Sequence, residues 1–144
     1  MDYTKLATEL LAKMRSLHKA RSQRGISESL QGEAFVLHYV AYHDGGVLPG
    51  DISQEMGVSS ARIATALNRL EDKGFVTRQI DRGDRRRILV DVTKEGRDVA
   101  KKHWQSMLGA TENMLKFLGE HDAKEYVRIK SKLADMISEC KEAP

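Results

Sequence analysis

Two groups of residues in this sequence are equipped to meet a partner, and both suit a polyanion rather than bond making or breaking. The first is Ser60, Arg62, Thr65, Asn68 and Arg69. At about 100° per residue these share one side of a helix, opposite Ile63, Ala66, Leu67 and Leu70. Such side chains pair with base edges in a major groove or with phosphate oxygens. The second group is Asp81-Arg82-Gly83-Asp84-Arg85-Arg86-Arg87, four arginines in seven residues. Arginine suits a narrow minor groove, where the negative potential is enhanced. Most charge runs are solvated surface; this one gains weight from the helix beside it.

Arg62 carries a further argument. It stands at the third helical position, where a capping box would place Glu. A cation there faces the positive end of the helix dipole, at a cost of about 0.3–1 kcal/mol. It does not serve the helix, so an outside acceptor is expected: a phosphate, or guanine O6 and N7. The charge balance agrees. The chain is +3 overall, and residues 59–92 hold eight basic and five acidic side chains, so the whole excess lies on this stretch. Local positive charge of this kind points to polyanion binding at one place.

The elements that must position these groups follow from caps and periodicity. Ser59 is an N-cap rather than a contact, and Gly74 with Phe75 ends the helix, so it runs from Ser60 to about Lys73. Val76, Arg78 and Ile80 alternate with Thr77 and Gln79, and Ile88, Val90 and Val92 alternate likewise, which predicts two strands. The loop between them is not expected to fold back on itself, although Asp84 is placed to brace a neighbouring Arg. Pro49 and Asp51 open a preceding helix, Ile52 and Met56 face its core side, and Gly57 makes the turn. Val47 and Leu48 form a short strand against the wing. Helix, turn, helix and hairpin make a winged helix-turn-helix.

Further helices flank it. Tyr3 to about Gln23 has an apolar stripe through Leu6, Leu10 and Leu17, and Arg24-Gly25-Ile26-Ser27 breaks it. Gly32 to about His43 packs Phe35, Val36, Tyr39, Val40 and Tyr42 inward, and Asp44-Gly45-Gly46 stops it. Thr93 caps a long helix that Gly119 ends. Asp122 caps a last helix carrying Tyr126, Ile129, Leu133 and Cys140. The fold class is mainly α with a small β-hairpin wing, and 144 residues suit one compact domain. Within it, 1–31 is a dimerisation helix, 32–93 the reading region and 94–144 the C-terminal dimerisation helices. Terminal stripes of this extent cannot all be buried on so small a winged helix, so a two-fold homodimer is expected. Its reading helices would enter successive major grooves about 34 Å apart.

Three runs carry a resemblance: Asn68-Arg69-Leu70-Glu71-Asp72-Lys73-Gly74-Phe75-Val76, then Asp84-Arg85-Arg86, then Val90-Asp91-Val92-Thr93-Lys94-Glu95-Gly96. Together, at this spacing, they resemble the winged helix of the multiple-antibiotic-resistance regulator (MarR) family, and the flanking helices fit it along essentially the whole chain. The resemblance implies a double-stranded DNA-binding regulator, by default a repressor, acting as a homodimer on a pseudo-palindrome. It implies DNA contacts at Ser60, Arg62, Thr65, Asn68, Arg69, Arg82, Asp84, Arg85 and Arg86, with Arg86 deepest and Asp84 orienting it. It also implies a small aromatic or anionic effector where the dimer helices meet the winged helix, with Leu11, Arg15, His38, Tyr39, Tyr42 and Trp104 as candidate lining.

Other classes are weaker. There is no Gly-rich phosphate loop, Gly-x-Ser-x-Gly elbow or zincin motif, so an enzyme is not expected, nor a cofactor. A zinc-sensing branch of the family uses His and Glu of the second and long helices; Glu33, His38, His43 and His103 are the comparable set for a metal-responsive repressor, but they lack a ligand motif and no metal site is assigned. The peroxide-sensing branch uses a thiol in the first helix, where this chain has none. Cys140 is the one cysteine, and it reads as a small apolar residue on a stripe. A winged helix used for protein binding is the remaining alternative, and such modules usually lack a basic wing. Met1-Asp2-Tyr3 has no basic leader and no apolar run approaches a bilayer span, so a cytoplasmic protein without a membrane partner is expected.

Overall fold

The computed structural model describes residues 1–23, 28–43 and 45–142. In chain order they form α1 (Tyr3–Gln23), α2 (Glu28–Ala41), α3 (Pro49–Met56), α4 (Ser60–Asp72), β1 (Val76–Ile80), β2 (Ile88–Val92), α5 (Lys94–Leu118) and α6 (Glu120–Glu142). The expected break at Arg24 to Ser27, and Asp44 of the expected stop, lie outside the described residues.

Three boundaries or faces differ from expectation. α2 begins at Glu28, before Gly32. An interior glycine costs about 1 kcal/mol, which burial of Val36, Leu37, Val40 and Ala41 offsets. Those four are also the true inward face. Phe35 and Tyr42 are exposed and Tyr39 only partly covered, because Phe35, His38 and Tyr42 fall on the opposite side of the helix. α6 begins at Glu120, directly after Gly119 with its φ of +84°. Asp122 therefore lies in the first turn, where an acid suits the dipole, and does not cap. The strand expected at Val47 and Leu48 is a single bridge, Val47 to Val90, closed by hydrogen bonds of 2.9 and 2.8 Å.

By contact the chain divides into two units, Met1–Lys101 and Lys102–Pro144. The core lies in the first. Ile52 of α3, Ile63, Leu67 and Leu70 of α4, Val76 of β1, Val90 of β2 and Ala100 of α5 are buried with the α2 face. β1 and β2 pair antiparallel, Val76 with Val92 and Ile80 with Ile88. The Ile80 end extends past the core, so Ile80 and Ile88 are exposed although they keep the alternation.

One node fastens the hairpin to the start of α5. The Thr93 hydroxyl accepts from the Gly96 N–H at 3.0 Å and donates to the Gly74 carbonyl at 2.7 Å. The Thr93 N–H donates to Phe75 O at 3.0 Å. A Cβ on Gly96 would lie 2.0 Å from that same Phe75 oxygen, so only glycine fits. Nearby, Arg97 Nη1 donates to Ala41 O at 3.2 Å, satisfying a carbonyl at the end of α2.

The second unit holds the later part of α5 and all of α6. Trp104, Met107, Leu108, Met114 and Phe117 on the one helix, and Tyr126, Ile129, Leu133, Met136 and Ile137 on the other, are exposed in the single chain. In the first unit, α1 exposes Tyr3, Leu6, Leu10, Leu11, Met14 and Leu17. None of these apolar stripes contributes to the buried core. Among the described residues, no helix is long and apolar enough to cross a membrane.

Candidate nucleic-acid interface

α4 presents its polar side to solvent because its two ends and its apolar side are fully determined. Ser59, in extended conformation, accepts from the Arg62 N–H at 3.3 Å and caps the start. At the other end Gly74, φ +79°, sends its N–H to Glu71 O and Phe75 sends its N–H to Leu70 O, both at 2.9 Å. That is the glycine-closed helix end the sequence predicts. With Ile63, Leu67 and Leu70 buried, Ser60, Arg62, Thr65, Asn68 and Arg69 are all exposed together.

These five are not equally free. Arg62 has no ion pair among the described residues. The Thr65 hydroxyl donates to Ala61 O at 3.0 Å, leaving its oxygen as an acceptor. Asn68 Oδ1 accepts from Arg78 Nη2 at 2.7 Å. Arg69 Nη1 reaches Glu33 Oε1 on α2 at 3.2 Å, and Lys73 Nζ reaches Glu33 Oε2 at 2.9 Å. Burial alone would raise the Glu33 pKa; hydrogen bonds from Lys73 and Arg69, with their charge, more than offset this and hold it below the ordinary value. The carboxylate is thus ionised and shared between two cations of the reading helix.

Arg78 links the wing to α4. Its Nε and Nη2 meet the two Glu71 oxygens at 3.3 and 2.9 Å, a fork that lowers the Glu71 pKa and raises that of Arg78. Sequence reasoning treated Arg78 only as a strand residue. The missed signal was its alternation: it shares a strand face with buried Val76, and a cation on such a face needs a partner. Glu33 was weighed as a metal ligand, and its ion pairs show what it does instead. Among the described residues no three His, Cys, Asp or Glu side chains gather for a metal.

The wing tip corrects another expectation, for it does fold back on itself. Asp81 Oδ1 accepts from Gly83 N at 2.9 Å, and Asp84 Oδ1 from Arg86 N at 3.1 Å. Asp81 N donates to Arg87 O, and Arg87 N to Asp84 O, at 2.9 and 3.0 Å. Aspartates that bond two residues onward make compact turns. Asp84 also takes Arg86 Nε at 3.2 Å, which holds its carboxyl below the usual range, and Asp81 takes Arg87 at 3.7 Å. So Asp84 braces Arg86 as expected, while that guanidinium stays outside, its side chain 91% exposed. Arg82 and Arg85 are exposed and have no ion pair among the described residues.

The expected effector residues are less clearly assembled. On α2, His38 lies 4.4 Å from Tyr42, centroid to centroid, and Tyr39 stacks on His43 at 3.8 Å. Leu11 and Arg15 are exposed on α1, and Trp104 belongs to the second unit. A groove of about 420 Å³ lies elsewhere, lined by Glu33, Val36, Met56, Val58 and Ile63 with Arg62, Thr65 and Arg69 of the reading helix. None of the six effector candidates lines it.

The MarR family model matches residues 25–87, which include α3, α4 and the wing tip. Over that stretch the chain is similar to the MarR family. A relative over nearly the whole chain is the HTH-type transcriptional regulator YwhA of Bacillus subtilis (strain 168), 26% identical over 93% of this chain and 99% of that protein. Solved structures with the same fold include Streptococcus pneumoniae FabT in complex with DNA, at 22% identity and a TM-score of 0.72, covering 96% of this chain and 99% of that one. The MepR–DNA complex of S. aureus matches at 20% identity and a TM-score of 0.66, over 96% and 98%. MarR itself matches at 18% identity and 0.67, over 98% and 94%.

Proposed function

We propose that this protein is a transcriptional repressor that binds a pseudo-palindromic operator in double-stranded DNA as a homodimer. The observation that carries this is the continuous exposed surface of α4, with Ser60, Arg62, Thr65, Asn68 and Arg69, fastened through Arg78 to a wing whose Arg82, Arg85 and Arg86 face solvent. Side chains of α4 divide between base edges and phosphates in the major groove, and the wing arginines take the adjoining minor groove. Asp84 holds Arg86 in one orientation, so less conformational entropy is lost on binding. The similar FabT and MepR structures are complexes with DNA, which supports this reading over a protein-binding winged helix.

Dimerisation is supported by the uncovered stripes of α1, α5 and α6. Burying an apolar side chain of this size contributes about 1.5–3 kcal/mol, and exposed apolar patches this extensive mark an interface. A second copy offers the matching surface under two-fold symmetry. We further propose, on the family's habit, that a small aromatic or anionic effector shifts the balance between DNA-competent and incompetent states; the tilted His38 and Tyr42 ring pair is the aromatic feature that supports it.

Selection of bound sequences from a random duplex pool tests the reading. An inverted repeat with half-site centres about one helical turn apart is expected. A pool that stays random after selection would count against a sequence-reading role, and leave the protein-binding alternative.

A further inference from the structure

Arg78 sets what Asn68 is able to read. A guanidinium has donors and no acceptor, so the amide atom 2.7 Å from Arg78 Nη2 must be the oxygen, which settles the orientation of the Asn68 amide. The same Nη2 gives its other hydrogen to Glu71 Oε1 at 2.9 Å, and Nε binds Glu71 Oε2 at 3.3 Å. The clamp is therefore three bonds deep and anchored on α4 itself. Asn68 is exposed, and its Nδ2, with two hydrogens, has no acceptor among the described residues.

The usual asparagine contact to a base is bidentate to adenine: Oδ1 accepts from N6 while Nδ2 donates to N7. Here the oxygen is turned toward β1, where Arg78 occupies one of its two lone pairs. The Nδ2 group keeps both hydrogens for a base edge made of acceptors. Guanine, with O6 and N7, is the full match; thymine O4 is a single one.

We propose that Asn68 acts as a donor-only reading residue and that Arg78, which touches no base, is the positioning residue that makes it prefer guanine over adenine. This rests on the DNA-binding reading above. It adds that the wing strand takes part in sequence choice through the reading helix as well as through its own tip.

The test is selection from a random duplex pool with the full-length protein and three variants. Asn68→Ala identifies the base pair that Asn68 reads, as the one position where preference disappears. At that position the unaltered protein is expected to favour guanine over adenine by about tenfold. Arg78→Ala, which releases Oδ1, is expected to level or reverse that ratio while leaving other positions unchanged. Asn68→Asp keeps the Arg78 contact but has no donors, so it is expected to lose the guanine preference with its fold intact, which guards against a misfolded Arg78 variant. Adenine favoured by the unaltered protein, an unchanged ratio in folded Arg78→Ala, or a guanine preference retained by Asn68→Asp would overturn the proposal. So would an operator at which Asn68→Ala changes no position, and in that case DNA reading survives. If the unaltered protein enriches no sequence, DNA reading falls and takes this proposal with it.

Discussion

Glu33 of α2 holds Lys73 of α4 at 2.9 Å, and the two residues are 40 apart in sequence. The same carboxylate takes Arg69, so the reading helix is tied to its scaffold by one buried acid and two half-exposed cations. A carboxyl whose pKa is lowered on folding contributes stability above its unfolded value, near 4.3, and that contribution is lost as pH falls through the folded value. Glu33→Gln should therefore destabilise the protein by about 1–2 kcal/mol at pH 7, with the gap to the unaltered protein closing below about pH 4. Urea denaturation at the two pH values checks this, and a gap that persists in acid would contradict it.

Gly96 is the tightest point of the hairpin's anchorage. Because a Cβ there would sit 2.0 Å from Phe75 O, Gly96→Ala must push α5 from β1 or break the Thr93 node. Overpacking of this kind costs about 1–3 kcal/mol, and backbone does not yield as a side chain does, so the upper end is expected. Thermal denaturation by circular dichroism measures it. Gly109, with open space around its Cβ position, is the control and should tolerate alanine.

The stripes of α1, α5 and α6 predict the assembly. The chain is 16.2 kDa, and light scattering after gel filtration should return twice that mass. Leu133→Asp, on an exposed α6 stripe, should shift the population toward the single-chain mass, since an interfacial carboxylate must be desolvated without a partner. An unaltered single-chain mass for the starting protein would remove the dimer.

Arg62, at the capped start of α4, has no ion pair among the described residues. If it takes a guanine edge, Arg62→Ala should cost about 1–3 kcal/mol of operator affinity and relax preference at one base pair. Affinity that falls equally for all duplexes would place Arg62 on a phosphate instead.

Much of this was legible before any coordinates, and the reasons are local. Ser59 and Gly74 fix the ends of α4, and Ile63, Leu67 and Leu70 fix its rotation, so the exposed face of the reading helix follows from short-range chemistry. The same holds for Thr93 with Gly96. What was misread depends on distance or on competition. Glu33 meets Arg69 across 36 residues, and no spacing rule reaches so far. In α2 the large aromatics looked like core, but Val36, Leu37, Val40 and Ala41 filled the space. The wing's self-closure follows from Asp81-Arg82-Gly83 and Asp84-Arg85-Arg86, two aspartates placed for turns, whose local bonds outweigh the repulsion that four neighbouring arginines lead one to expect.

The central claim is that α4 and the arginine-tipped wing together embrace a DNA duplex. Its most direct test is the salt dependence of duplex affinity, by fluorescence anisotropy, for the unaltered protein and for Arg86→Ala. Each cation that displaces condensed counterions adds about 0.9 to the slope of log affinity against log salt. The account predicts a steep slope for the unaltered protein and, for Arg86→Ala, weaker binding with the slope flattened by about one. Identical slopes and affinities for the two proteins would contradict it.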